Sequence, residues 1–211
     1  STPIHGRVKL AAMSLFTAIV LSAKPVTLVL PGVQVLGCTQ VLRSPAELHA
    51  ARLDVLAKVQ TPYCFFLDDD DELTDDYLNV LAECEAKMLA QGAAMAYTDE
   101  ILREIGKDGP RDHRRVAYSY DSDLHAKRPM LVHHLVVMDS AKAQAAAKVL
   151  PRGNFWTEHL LYWTLGLQGA VYVIRVGYIW NRNPNGFSRS PQILAAQAFS
   201  MRWINQQRAA A

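Results

Sequence analysis

Residues 61–73 read TPYCFFLDDDDEL. An apolar run, Tyr63-Cys64-Phe65-Phe66-Leu67, passes straight into four aspartates, Asp68 to Asp71, and then Glu72. A short continuous apolar run, entered through Thr61-Pro62, reads as an interior strand of a parallel sheet. Two like charges about 4 Å apart repel by roughly 4 kcal/mol at an effective dielectric near 20. Such a run costs more than a helix cap returns, and Thr74, Asp75 and Asp76 already supply cap chemistry for the helix that follows. The aspartates must splay into water as a solvated acidic turn, or meet a cation. In open parallel sheets, ligands bind beyond the carboxyl ends of the strands, and the run stands at such an end. A hard divalent cation with oxygen ligands, Mg²⁺ or Mn²⁺, would relieve the repulsion and commonly bridges a carboxylate to a phosphate.

Working outward, residues 47–59 repeat apolar positions at Leu48, Ala51, Val55, Leu56 and Val59, a helical period. On the other side, a helix opens at Thr74 and runs to about Gln91, with Gly92 as its stop. Residues 93–98 read as a strand. Residues 26–30, VTLVL, closed by Pro31-Gly32, read as another interior strand, and the apolar stretch 10–23 as a buried helix feeding it. That stretch resembles a signal-peptide core but is too short to span a bilayer. The resulting order of helix, strand, helix, strand, helix, strand predicts an α/β fold with a mainly parallel central sheet flanked by helices.

The second half is less regular. Residues 99–115 are polar and charged, with Gly106, Gly109 and Pro110, and read as a loop. A strand is expected over 130–138, an alanine-rich helix from Asp139-Ser140 to Pro151 and Gly153, a helix over 155–168, and a strand over 170–176. Residues 177–190, GYIWNRNPNGFSRS, read as a loop, and Ser190-Pro191 starts a last helix to about Arg208.

Chain-wide numbers narrow the class. The 211 residues suit one sizeable domain. Half the residues are hydrophobic (50%) and a fifth charged (20%), a globular composition. A formal net charge of +2 gives no electrostatic case for nucleic acid. Cys38, Cys64 and Cys84 show neither zinc spacing nor a disulfide framework, which points to a reducing, cytoplasmic setting, with peripheral membrane attachment as a variant.

The stretch AARLDVLAKVQTPYCFFLDDDDEL, together with AYTDE (residues 96–100), FWTEHLLYWTLGLQGAVYVI (155–174) and NRNPNGFSRS (181–190), resembles the inverting, family-2-type glycosyltransferases of GT-A fold. The similarity covers roughly residues 47–190. Leu53 departs from the usual Asn, and Glu158-His159 stands where the family has a Glu-Asp pair. The resemblance implies one GT-A-like domain, with residues 1–98 as the nucleotide-binding half and 99–211 as the acceptor-side half. It implies a hexosyltransferase-type reaction, in which a sugar moves with inversion from a nucleotide diphosphate, UDP foremost, to a sugar or lipid-linked acceptor hydroxyl.

The same resemblance assigns residues. Asp68 and Asp69 would face the ribose and base, Asp70 would ligate Mn²⁺ or Mg²⁺ on the diphosphate, and Arg52 would reach the nucleotide. The bland reading of Arg52 is a salt bridge with Asp54 or Glu47. Glu158 or His159 would deprotonate the acceptor, a neutral histidine being a competent base; otherwise His159 packs against Trp163. Trp156 would stack on an acceptor sugar or fill the core. Asp99 ends the next strand on the acceptor side, and Arg182 and Arg189 would close over the diphosphate or lie solvated. His133 and His134 are a possible metal ligand or plain hydrogen-bonded histidines. Two other readings stay open: a catalytically silent nucleotide-binding protein of the same fold, and a calcium-stabilised interaction module.

Overall fold

The first strand, β1 (Phe16–Ser22), is buried nearly throughout. In the computed structural model, which describes residues 14–106, 109–128, 131–133, 135–182 and 190–210, it lies between two parallel neighbours, β2 (Gln34–Thr39) and β3 (Tyr63–Phe66). Alternate residues enter opposite layers. Phe16, Ala18 and Val20 meet Phe65 and Leu81 on one face, and Ile19 joins Leu53, Leu56 and Phe66 on the other. Two covered faces explain the unbroken apolar sequence. Full burial of a side chain such as Phe65 contributes about 1.5–3 kcal/mol.

These strands belong to a mixed sheet of order β2-β1-β3-β7-β5-β8-β4, with β6 paired to β5. Here β4 is Glu72–Leu73, β5 Met95–Gly106, β6 Gly109–Arg115, β7 Val136–Asp139 and β8 Ala170–Arg182. Strand β7 is antiparallel to both β3 and β5, so β3 and β5 run the same way and end at the same edge of the sheet. One face is covered by α2 (Tyr77–Gln91) through Val80, Leu81, Cys84 and Met88. The other carries α1 (Pro45–Leu56), α4 (Ser140–Val149), α5 (Thr157–Gly166) and α6 (Pro191–Ala210). The short α3 (Ser122–Lys127) packs against α5 and α6. Among the described residues, no helix is long and apolar enough to cross a membrane.

Local chemistry sets the helix ends. Ser44 caps α1 by accepting from the Glu47 N–H at 3.2 Å, with Pro45 in the first turn. Gly92 closes α2 with φ of 64°, a left-handed position that suits glycine. Asp139 caps α4 through the Lys142 N–H.

Four expectations are corrected. The helix expected over 10–23 is, in its described part, strand β1. An apolar run does not by itself separate buried strand from buried helix, and here both faces of the segment are covered by core. The strand expected over 26–30 is an irregular, largely exposed segment, with Val29 81% exposed. The neighbour of β1 is instead β2, whose Gly37 leaves room for Val26: a Cβ there would lie 2.8 Å from the Val26 Cβ.

The loop expected over 99–115 is the hairpin β5–β6. Its charges pair across the strands: Arg103 holds Asp112 through two bonds of 2.9 and 3.1 Å, and Glu100 faces Arg115. Cross-strand ion pairs satisfy a ladder that hydropathy alone reads as loop. The loop expected over 177–190 is strand in its described part up to Arg182, because β8 continues along β5 and β4. Gly177 lets that strand pass close to the core, since a Cβ there would be 2.2 Å from Leu135 Cδ2. Arg189, His134 and Met130 lie outside the described residues.

Candidate active site

The last rung of β3 is the Leu67 N–H bonded to the Ile19 carbonyl at 3.0 Å. The chain then turns, with the Asp71 N–H returning to the Asp68 carbonyl at 3.2 Å. Asp71 fastens this turn to β8. Its Oδ1 accepts from the Asn181 N–H at 2.7 Å and its Oδ2 from the Tyr178 hydroxyl at 2.8 Å. The Asn181 amide also donates to the Asp70 carbonyl at 2.8 Å. Asp71 is therefore partly buried and structurally engaged, whereas Asp68, Asp69 and Asp70 project into solvent. Burial and the neighbouring Asp68 push the Asp71 carboxyl up to about 7, against its two donors. Burial, then Asp68, also raise Asp70.

Arg52 connects this turn to the first turn of α5. Its Nη1 donates to Glu158 Oε2 at 2.5 Å and its Nη2 to Asp68 Oδ1 at 3.2 Å. The guanidinium lies 5.4 Å from the ring centres of both Phe66 and Trp156. A planar cation with bidentate reach suits such a sandwiched, two-carboxylate position. Its partners are neither Asp54 nor Glu47. Asp54 faces Arg152, and the Glu47 carboxylate accepts from the Arg43 N–H. Glu158, in the first turn of α5, is thereby held one guanidinium away from Asp68. Burial raises its carboxyl above the ordinary range, with Arg52 pulling the other way.

The other candidates sit elsewhere. His159 turns into the core, where its ring centre lies 4.8 Å from that of His125, while Trp163 meets Trp203. Trp156 is buried at the start of α5, its backbone N–H donating to Ser200 Oγ at 2.9 Å. Asp99 is buried and fully engaged, accepting from Arg114, the Ala117 N–H and the Tyr172 hydroxyl. Arg182 pairs with Glu104. The turn's fasteners, Tyr178 and Asn181, were missed in the sequence because they fall in a segment that reads as loop.

The two core histidines carry a pH prediction. Desolvation lowers His125 to about 3, against a weak approach to the His159 backbone, and His159 to about 4; none of their ring nitrogens makes a well-formed hydrogen bond among the described residues. The unfolded chain protonates them near 6.5, the folded chain only far below, so their contribution to stability falls as pH drops through 6.5 toward 4. At roughly 1.4 kcal/mol per unit, the loss at pH 4 is on the order of 3 kcal/mol per ring. Asp71 and Glu158, both raised, act in the opposite direction. The check is therefore a difference: urea unfolding of His159→Leu should lose less stability between pH 7 and pH 4 than the unmodified protein. Parallel pH profiles would contradict the buried, neutral pair.

The mixed, helix-flanked sheet has the GT-A fold. Among solved structures, the chain is similar to residues 1–349 of S. aureus TarS in complex with UDP-GlcNAc, with a TM-score of 0.56 and 11% identity, over 90% of this chain and 65% of that one. It is likewise similar to a longer structure of S. aureus TarS, with a TM-score of 0.55 and 12% identity, over 91% of this chain and 39% of that one. The chain thus spans less than two thirds of either. Neither a protein-family model nor a curated protein sequence matches it.

Proposed function

We propose that this chain is the nucleotide-sugar-binding domain of a glycosyltransferase that moves a sugar from a UDP-sugar to an acceptor hydroxyl, with inversion, as the family-2-type resemblance implies. One observation carries the reading. Three solvent-facing carboxylates, Asp68 to Asp70, stand at the carboxyl end of β3, and a further carboxylate, Glu158, is held beside them by Arg52. The binding of UDP-GlcNAc by TarS, a protein of the same fold, supports the choice of donor.

The residues suit a hard divalent cation. Their donors are oxygens, and burial together with the neighbouring Asp68 already raises Asp70. Among the described residues, no three His, Cys, Asp or Glu side chains are gathered to hold a metal ion. Mg²⁺ or Mn²⁺ here would rest on Asp70 and the phosphate oxygens of the ligand, the usual mode for magnesium. Bound there, the cation supplies Lewis-acid stabilisation of the leaving diphosphate. Asp68 and Asp69 face the ribose and base. Arg52 fixes the orientation of Asp68 and Glu158 together. Glu158 takes the proton of the acceptor hydroxyl, its carboxyl raised by burial toward the range a general base needs.

A second reading has an observation of its own. His159 is buried beside His125, so proton abstraction falls to Glu158 alone, and Glu158 is engaged by Arg52. A nucleotide-binding protein of this fold without turnover accommodates that arrangement. Calorimetric titration of UDP with and without Mn²⁺, followed by assay of UDP release from UDP-sugars, tests both. A transferase binds UDP more tightly with Mn²⁺ and releases it on turnover; a silent binder shows only the first. Heat from calcium alone, with none from UDP, would establish an interaction module instead.

A further inference from the structure

A cavity of about 200 Å³ lies between the β5–β6 hairpin and residues 116–118, 124, 128 and 131–133, and none of the four aspartates lines it. We propose that it is a saccharide subsite, built for one monosaccharide unit of the acceptor. The proposal rests on the transferase reading above.

Its size is the first constraint. Pockets for drug-sized ligands run to about 300–1,000 Å³, so this one suits a single small polar unit rather than a nucleotide. Its polar side is anchored on one buried carboxylate. Glu100, 3% exposed, forms an ion pair of 2.6 Å with Arg115 Nη1, and its Oε2 lies 3.0 Å from His133 Nδ1. His133 Nε2 lies 2.9 Å from Arg115 Nη2. A guanidinium only donates, so Nε2 must accept, and the ring proton sits on Nδ1, donating to Glu100. The Arg115 guanidinium is also 5.4 Å from the Trp180 ring centre. Carboxylate, imidazole and guanidinium are thereby held in fixed orientation, a set of directional groups suited to adjacent hydroxyls.

Tyr118 and aliphatic residues such as Leu124 and Leu131 also line the cavity. Tyr118 is 72% exposed, yet its backbone carbonyl accepts from the buried Tyr97 hydroxyl at 2.6 Å, so the ring is presented from an anchored position. An amphipathic ring beside a few convergent polar groups suits a molecule with an apolar C–H face and a hydroxyl rim.

The backbone shows why the site forms here. The β5–β8 register shifts at Thr98/Asp99 and again at Asp99/Glu100. Such irregularities re-aim side chains and are common beside active sites. Here Asp99 enters the core network while Glu100 lines the cavity. Because β5 and β3 end at the same sheet edge, the cavity belongs to the side of the molecule that carries Asp68 to Asp70.

The test is amide NMR of the full chain titrated with methyl glycosides of glucose, galactose and N-acetylglucosamine, without nucleotide. Shifts are expected at residues 97–100, 115–118 and 131–133 for at least one sugar. Tyr118→Ala removes an exposed ring and should weaken that binding about tenfold or more, the loss expected of an aromatic anchor, while leaving Mn²⁺-dependent UDP affinity unchanged. No shifts with any of the sugars, shifts confined to the aspartate turn, or equal affinity in Tyr118→Ala would each overturn the proposal. Saccharide binding without UDP binding would leave the subsite standing and remove the transferase reading.

Discussion

Replacing Arg52 with methionine is expected to destabilise the protein by about 3–5 kcal/mol, the usual loss when one partner of a buried ion pair is removed. Arg52 is buried, and its guanidinium serves Glu158 and Asp68 together. Most of the loss comes from Glu158, whose side chain is only 13% exposed, since Asp68 is half exposed and regains water. The variant should also acquire a pH dependence of known sign. Without Arg52, burial alone acts on Glu158 and raises its folded-state pKa further. A carboxyl raised in the folded state binds more protons there than in the unfolded chain, so Arg52→Met should gain stability as pH falls toward the unfolded value near 4. Adding Glu158→Gln should recover part of the loss and flatten that profile. Arg52→Lys should fail to restore the protein, because an ammonium does not reproduce the fork that spans two carboxylates. Urea unfolding at pH 5 and pH 8 measures all four chains. A loss below about 1 kcal/mol would place the pair in the range of exposed ion pairs and remove Arg52 as the link between the two halves of the site.

The second large effect is on binding. Asp70→Ala should lower Mn²⁺-dependent UDP affinity about a hundredfold, near 2.8 kcal/mol, without loss of stability. Its carboxyl is already raised by burial and by Asp68, so removing it relieves repulsion. The hydrogen bond from Asn181 goes to the Asp70 backbone and survives the substitution. Asp71→Ala should behave in the reverse manner. It deletes the acceptor for Tyr178 and the Asn181 N–H, and should cost stability even in the absence of metal. Unchanged Mn²⁺-dependent UDP binding in Asp70→Ala, measured by calorimetry, would end the assignment of Asp70 as the metal ligand.

The division of labour within the aspartate run shows where local pattern stops. Nothing in DDDD distinguishes the third aspartate from the fourth. The difference arises from Tyr178 and Asn181, 107 and 110 residues further along the chain, which bond to the side-chain carboxylate of the fourth but only to backbone atoms of the other aspartates. In the same way, Arg52, Asp68 and Glu158 stand out singly in the sequence, but their contact is made across 106 residues, from α1 to α5. Charge-rich residues 99–115 look unstructured until each strand of the hairpin supplies the counter-charges of the other.

What the sequence determined by itself were the features whose cause is local. The strand at 63–66 follows from an apolar run closed by carboxylates, α2 from its periodicity and the glycine at 92, and the later helices from caps such as Asp139 and Ser190-Pro191. The tertiary structure decided whatever depends on which surfaces are covered and which distant groups meet. It made residues 16–22 a strand, because core lies on both faces. It left residues 26–30 largely exposed, because β2 took the place beside β1. It sent His159 into the core and kept Glu158 at the aspartate turn, because adjacent positions on a helix point about 100° apart and only one of these two faces Arg52.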